Sequence, residues 1–451
     1  MMRSRTAEDS VAISASVAGR RVADTAPPYR LTLSNRSSTI GCVTLWRHRD
    51  FRLLWAGESV AQVGIMISHL ALPLLAATAL GATPWEMGLL VAAERGAFLL
   101  IGLPAGVLLD RVRRLPVMIG ANLARFALIA SIPAAWAAGV LTFGHLLAVA
   151  LLAGVATVLF DVGYQSVLPA VVGRAGLVEG NAKLESTRAA AEAAGPAMGG
   201  GLVQLAGAAA AVLLDAVGYL VSAALLARMR TRETVPPRDP GRTVRAEMAE
   251  GLRYVLGHRL LRPIVLCTGT ANLFGGVLAA VSVLFLSREL RQPPAVVGLV
   301  LAAGSAAGVL AAVTAGAWIR RLGQGRTLVL ALLATGPVAL VLPLTTPGAG
   351  LAWFALGTAA VAYGGVVYNV AQVSFRQAVC PDHLLGRMNA SIRFLVWGTI
   401  PLGGLLGGAL GELAGLRATL LVTAVGFVLC PVWLLVSPLR RLRDLPAPAQ
   451  T

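Results

Sequence analysis

From about Leu45 onward the chain alternates long apolar runs with short polar joints. Twelve runs reach the roughly 20 residues that a helix needs to cross a hydrocarbon layer of about 30 Å. They fall near 53–79, 87–109, 115–138, 144–168, 184–206, 210–228, 263–287, 295–319, 326–344, 350–376, 385–411 and 416–436. Together they take up most of the 451 residues and leave no room for a large soluble domain. The pattern predicts an all-α membrane protein with twelve transmembrane helices.

The longest polar stretch, 229–261, separates spans six and seven. It opens with Arg230, Arg232, Glu233 and the breaker pair Pro236-Pro237, after which Val244, Met248, Leu252, Val255 and Leu256 recur at helical spacing. That is an amphipathic helix lying against the membrane face. The predicted organisation is a disordered tail (1–45), a six-helix bundle (46–228), a linker with an amphipathic helix (229–261), a second six-helix bundle (262–437) and a short tail (438–451). Residues 1–45 are rich in Ser and Arg. They also resemble a transit peptide in composition, and a misassigned start is a third reading.

Charge sharpens the topology. The net charge is +17, with 13% charged residues. Basic residues crowd every second joint: Arg47, Arg49 and Arg52; Arg111, Arg113 and Arg114; Arg174 and Lys183; Arg228 through Arg262; Arg320, Arg321 and Arg326; Arg376 and Arg387; Arg440, Arg441 and Arg443. The alternate joints are nearly bare apart from Arg288, Arg291 and Arg417. By the positive-inside rule both termini are cytoplasmic in a bacterial inner membrane. A basic charge spread over loops, and not gathered on one face, argues against nucleic-acid binding.

The two halves match at a shift of about 210 residues, as in transporter repeats. Pro84, Gly88 and Leu89 correspond to Pro294, Gly298 and Leu299. Ala105-Gly106 corresponds to Ala315-Gly316, with arginines after both, and Asn181-Ala182 to Asn389-Ala390. Gly195, Gly199 and Gly200 correspond to Gly403, Gly407 and Gly408. In span five, Gly195-Pro196-Ala197-Met198-Gly199-Gly200 puts glycines at i and i+4, which admits a neighbouring backbone, and a proline that permits a bend. The motif serves either tight packing alone or a seam on which one bundle rocks.

Gly106-x-x-x-Asp110-Arg111-x-Arg113-Arg114 resembles the loop 2–3 signature of the major facilitator superfamily. It departs from that signature in having Arg113 where glycine is usual and Leu115 where a second terminal basic residue is usual. Gly195-Pro196-x-x-Gly199-Gly200 is similar to the span-five motif of the superfamily's drug–proton antiporters. Phe160-Asp161-Val162-Gly163-Tyr164-Gln165-Ser166, Glu179-Gly180-Asn181 and Arg387-Met388-Asn389-Ala390 resemble the branch with enterobactin exporters and macrolide-efflux proteins.

The resemblance implies two pseudo-symmetric six-helix bundles around a central cavity. Spans one, four, seven and ten would line it, and three, six, nine and twelve would face lipid. It implies too that Asp110, held by Arg111 and Arg114, sits by the N-terminus of span eleven, where a carboxylate suits the helix dipole. There it would latch the bundles on the cytoplasmic side in the outward-facing state. Gly102, Gly106 and Asp110 form one i,i+4 row. The alternative is a solvated cluster that only sets topology.

An ionised group within a span needs a partner, water or a proton. Glu58, on span one, binds a proton or cation, or else reaches interfacial water or a loop arginine. Asp161, on span four, is a proton site or the partner of Arg111 or Arg114, the second being favoured. Glu94 is nearer the midplane, where a neutral, protonated carboxyl makes it a candidate proton site; Arg95, its neighbour in sequence, does not share its face. Glu192 and Glu185 flank Arg188 in an intrahelical ladder. Asp215, on span six, is expected to be peripheral and hydrogen-bonded. Glu412 is expected to pair with Arg417. Arg393 anchors an anionic substrate group or lines water near the cytoplasmic mouth, the latter favoured. Asn272, Phe274, Tyr368, Asn369 and Gln372 supply either cavity lining or helix–helix hydrogen bonds.

Cys42, Cys267, Cys380 and Cys430 read as free thiols, and the five histidines have no metal spacing. No metal or cofactor is expected. Lys183 is the only lysine and no phosphate-cradling Gly-Lys-Ser/Thr loop exists, which argues against ATP-driven transport. No nucleophile elbow is present, so the chain is not expected to be an enzyme. The expected function is export of an amphipathic small molecule by alternating access. Protons drive it, and the protein works as a monomer in the bilayer. A uniporter or importer of the same fold is the alternative, followed by a membrane sensor or membrane-embedded enzyme.

Overall fold

The computed structural model describes residues 45–109, 112–231, 244–380 and 385–442. The expected N-terminal tail, the Pro236-Pro237 joint, Asp110, Arg111 and the end of the C-terminal tail lie outside the described residues. Everything described is helix or short connection. Twelve membrane-length helices follow the predicted order: span one Arg49–Thr78, two Pro84–Leu109, three Arg114–Ala137, four Phe143–Gly173, five 174–206 and six Ala208–Ala227. After the linker helix Val244–Gly257 come span seven Leu261–Glu289, eight Pro294–Leu322, nine Gln324–Leu344 and ten Leu351–Val379. Span eleven is Leu385–Trp397 continued by Thr399–Ala414, and span twelve is Leu416–Leu435. Ten of them are long and apolar enough to cross a membrane on composition alone. Spans two and five carry the extra charges Glu86, Glu94 and Arg95, and Lys183, Glu185, Arg188 and Glu192.

The halves repeat down to their turns. Gly81 and Arg291, Gly139 and Gly348, and Gly207 and Gly415 are pairs at equivalent joints, and all six residues have positive φ. Gly207 and Gly415 are nearly superposable, at φ 84°, ψ 159° and φ 85°, ψ 164°. Each ends one helix and starts the next, a conformation that a Cβ would strain. Arg291 alone among the described residues takes positive φ (52°) with a side chain.

Glycine packing repeats in the same way. Gly195 and Gly199 face Met66 and Ile67 of span one, as Gly403 and Gly407 face Leu273 and Val277 of span seven. Gly200 meets Gly298 at the crossing of spans five and eight, and Gly408 meets Gly88 at the crossing of eleven and two. At these crossings a Cβ on Gly200 would lie 2.9 Å from the Gly298 Cα, so backbones touch where side chains would otherwise intervene. Span five therefore packs two partners at once, through glycines one residue apart.

One apolar core spans both halves at the arginine-poor end, joining Ile67, Leu74 and Leu75 to Phe285, Leu286, Val297 and Phe354. At the arginine-rich end the cores separate. Leu45, Phe51, Met118 and Leu226 cluster within the first half, and Ile264, Leu328, Tyr368 and Phe375 within the second. Val255 of the linker helix is fully buried in a cluster with Met388 and Ile392 of span eleven, so this helix packs on protein as well as facing outward. Cys267 and Cys430 are free thiols, as expected, but the fold sets their Sγ atoms 3.4 Å apart between spans seven and twelve.

Polar contacts tie the arginine-poor ends together. The backbone N–H of Trp85 donates to Glu412 Oε2 at 3.4 Å, and that of Ala295 to Gln204 Oε1 at 3.1 Å. Arg288 of span seven donates to the carbonyls of Ala77 at the end of span one and Ala82 in the joint after it, with Nη1 2.7 Å from Ala82 O. Arg417 pairs with Glu289 at 2.8 Å, and not with Glu412 as expected. At the other end, Asp50 accepts from Arg230 N and Thr231 Oγ1 at 3.0 and 2.7 Å, tying the start of span one to the end of span six. Glu179 accepts from Leu45 N and Lys183.

Candidate functional site

A cavity of about 530 Å³ lies between the halves. Span one contributes Met66, His69 and Pro73, span two Val91, Glu94 and Arg95, and span five Pro196. The facing wall is span seven, through Asn272, Gly275, Gly276, Leu278, Ala279, Ser282 and Val283, with Leu301, Thr358 and Ile400. A second chamber of about 240 Å³ continues into the first half and shares His69, Glu94 and Arg95. It adds Asp161, Asp215, Thr157 and Tyr219, and Trp397 and Ile400 of span eleven also line it. A third recess, of about 150 Å³, holds Gly102, Asp161, Gln165 and Arg393.

Spans one, four and seven line the space as the family resemblance implies. Span ten contributes one residue to these walls, Thr358, whereas spans two and six contribute ionisable groups. Asp215 is therefore not peripheral. It is 2% exposed and faces the chamber, because Gly64 lets span one lie directly on the backbone of span six there. Glu94 and Arg95 both line both cavities, although about 100° apart around their helix; the space wraps around span two far enough to reach both.

Asp161 lies opposite Arg393, and Arg125, Arg393 and Arg95 are the arginines in its electrostatic reach. Arg111, one of the two partners expected for Asp161, lies outside the described residues. Arg393 stacks its guanidinium over Trp397 (4.9 Å) and, across the boundary between the halves, over Phe98 (5.4 Å). It thus bridges spans eleven and two and looks toward Asp161. Glu58 accepts from Gln62 Nε2 at 3.0 Å, one turn along its own helix, with Arg125 and Asp161 in electrostatic reach. Arg188 joins Glu185 and Glu192 in the expected ladder.

Of the polar candidates on spans seven and ten, only Asn272 lines the cavity, and its amide also donates to Val396 O at 2.9 Å. Phe274 turns away, packing on Gly426 and Phe427 of span twelve. The Tyr368 hydroxyl bonds Thr268 Oγ1 and Ile264 O inside the second half, and Gln372 donates to Asn369. Phe274 and Tyr368 thus make helix–helix contacts, while the Gln372–Asn369 bond lies within span ten. Gly102 leaves the recess open beside Arg393, and Arg114 begins span three. The latch expected of Asp110 falls outside the described residues.

The sequence reading passed over Arg125. It is 2% exposed in the middle of span three, with its guanidinium between the rings of Phe160 (4.4 Å) and Tyr219 (4.3 Å). It donates to Asn122 Oδ1, and Asn122 donates to Ser222 Oγ at 2.9 Å. Glu58, Asp161 and Asp215 all lie in its electrostatic reach. A desolvated cation clamped by two aromatic faces gains about 2 kcal/mol from such contacts, and it fixes a positive potential beside three carboxylates. The available signal was an arginine in the centre of an apolar run, one turn after an asparagine.

Two matched helical halves, sealed to each other at one end and enclosing a charged cavity, define a multi-pass membrane transporter. Residues 40–449 match the family described as transmembrane secretion effector, and the chain belongs to that family of the major facilitator superfamily. No curated protein matches the sequence. The fold is shared with the nucleoside transporter NupG (TM-score 0.69, 13% identity, covering 85% of this chain and 98% of that one). It is shared with a bacterial homologue of the iron transporter ferroportin in an inward-facing state (0.68, 18%, 86% and 98%). A bacterial homologue of the human lysosomal transporter Spinster, inward-facing and unoccupied, is similar too (0.66, 15%, 88% and 98%).

Proposed function

We propose that this protein is a secondary active exporter of an amphipathic small molecule, such as a drug, an antibiotic or a siderophore-like compound. It exchanges its cargo for protons by alternating access. Both termini are cytoplasmic and the membrane is a bacterial inner membrane, on the strength of the arginine-rich joints. The cavity is then closed toward the outside by the shared apolar core and the Arg288, Glu412 and Gln204 contacts. The separate cores at the other end leave the halves free to part toward the cytoplasm. The Asp110 latch belongs to the opposite, outward-facing state.

The observation that carries this reading is the gathering of His69, Glu94, Arg95, Asp161 and Asp215 around space that lies at and beside the boundary between the halves. Ionisable groups in a membrane interior mark proton or substrate paths. One elementary charge crossing the membrane releases about 2.3 kcal/mol per 100 mV, enough to drive a substantial gradient of neutral cargo. Among these groups Glu94, Asp161 and Asp215 are the candidate proton carriers and Arg125 the fixed countercharge; Glu58 joins them by its reach to Arg125. The apolar wall of span seven receives the cargo's hydrocarbon face.

The test uses proteoliposomes loaded with a fluorescent amphipathic cation under an imposed pH gradient. Antiport is supported if dissipating the gradient stops net movement, and if Glu58→Gln with Asp161→Asn abolishes energised transport but keeps counterflow. Movement indifferent to the gradient assigns the protein instead as a uniporter or importer of the same fold.

A further inference from the structure

A groove of about 640 Å³, sharing no lining residue with the central cavity, opens on the surface at the arginine-rich end, where span seven meets the end of span twelve. Its mouth carries Arg259 and Arg262, both exposed. Among the described residues neither guanidinium is engaged in an ion pair or hydrogen bond. Its walls are apolar: Leu266 from span seven, Trp433, Val436 and Pro438 from the end of span twelve.

The order of these residues along the membrane normal matters. Arg262, Leu266 and Thr270 are four residues apart, so they form one row on span seven that descends about 6 Å per step. Trp433 sits at the bottom of that row, its indole Nε1 donating to Thr270 Oγ1 at 3.0 Å. Span twelve runs the other way, so Val436 and Pro438 rise beside Leu266 toward the arginines. The groove is thus cationic at the membrane surface and apolar below it, with an aromatic ring fixed at its floor. Val436 is 75% exposed, so the apolar wall is uncovered by protein.

We propose that this groove is a binding site for an anionic glycerophospholipid. The phosphodiester lies between Arg259 and Arg262 and an acyl chain runs down past Leu266 and Val436 to Trp433. Two guanidiniums supply forked donors for phosphate oxygens. A free phosphate leaves the apolar gutter uncovered, and a zwitterionic lipid brings no net charge to the pair. Occupancy ties the end of span twelve to span seven and to the linker that precedes it.

The test is a titration of delipidated full-length protein in neutral detergent, with retained lipid counted by native mass spectrometry. Phosphatidylglycerol binds, whereas phosphatidylcholine and inorganic phosphate at the same concentration do not. Each arginine near a charged surface contributes roughly fivefold, so Arg259→Gln with Arg262→Gln weakens binding about 30-fold. Arg320→Gln with Arg321→Gln, at another basic joint of the same end, leaves it unchanged. Brominated-chain phosphatidylglycerol quenches the part of the tryptophan emission that Trp433→Phe removes, and brominated phosphatidylcholine does not. Equal loss in both arginine pairs, equal quenching by both lipids, or binding of inorganic phosphate alone overturns the site.

Discussion

Trp85 and Glu412 stand 327 residues apart in the chain, yet the backbone N–H of the first donates to the carboxylate of the second. Gln204 does the same for Ala295, one half-chain displaced. Each contact places an acceptor on the open N-terminus of a helix in the opposite half, where it offsets unpaired N–H groups and the helix dipole. Glu412→Ala with Gln204→Ala should weaken the seal by about 1 kcal/mol in all, roughly fivefold in the population opened at the arginine-poor end. The measurement is the rate at which a membrane-impermeant maleimide reaches a cysteine introduced at Pro73, in a cysteine-free background.

The glycine crossings set a stricter condition. Gly298→Val drives a side chain into the Gly200 backbone and Pro196 carbonyl, so spans five and eight must separate. Transport should fall more than about tenfold, and the same maleimide should label faster. Gly96 has open space around its Cβ position, and Gly96→Ala should leave transport intact and raise stability by roughly 0.5–1 kcal/mol. Equal effects of the two substitutions would show that the crossing has no part in closure.

Arg125 separates charge from geometry. Arg125→Lys keeps the cation but loses the planar stack between Phe160 and Tyr219 and the bond to Asn122. The folded protein should persist, about 1–2 kcal/mol less stable, with the proposed proton-coupled transport reduced at least tenfold. Arg125→Ala leaves neighbouring carboxylates without their countercharge and should cost about 3–5 kcal/mol. Thermal unfolding in detergent and counterflow in liposomes give the two readouts.

His258 makes the junction between linker and span seven sensitive to pH. Its Nδ1 accepts from Leu260 N at 3.2 Å and Leu261 N at 3.3 Å, which requires the neutral ring. Burial holds its pKa below the ordinary 6.5. The unfolded chain therefore takes up the proton more readily, and stability rises with pH across that interval. This contribution is complete above about pH 6.5 and is lost as pH falls through the lower folded value. His258→Gln should flatten the unfolding temperature between about pH 7 and 5 without altering its value at neutral pH by more than a degree or two.

Arg291 occupies the turn position that Gly81 holds in the first half, with φ at 52°. A side chain there costs roughly 1 kcal/mol that glycine avoids. Arg291→Gly should raise the unfolding temperature slightly and leave transport unchanged.

The helices and their repeat were legible because lipid demands long apolar runs, and because glycines at crossings cannot be replaced by anything larger. Gly88, Gly200, Gly298 and Gly408 could be aligned by eye, and they meet in space as two equivalent pairs. What the cavity holds was less legible. Periodicity says which face of a helix is apolar, but in a membrane both faces are apolar. Nothing local marks Asp215 as inward or Phe274 as outward. Glu412 and Arg417 lie five residues apart, yet the turn at Gly415 sends them to different partners. Arg125 was overlooked because its companions, Phe160 and Tyr219, come from two other helices.

The titratable groups of the central space hang almost entirely from the first half, while the opposite wall is uncharged, with Leu278, Ala279, Val283 and Leu301 beside the polar Asn272, Ser282 and Thr358. Such a division separates the engine from the mould. On the exchange mechanism proposed above, substitutions among those aliphatic positions should reshape what the transporter accepts and leave its drive intact. An engineer seeking altered selectivity should therefore begin at Leu278 and Val283.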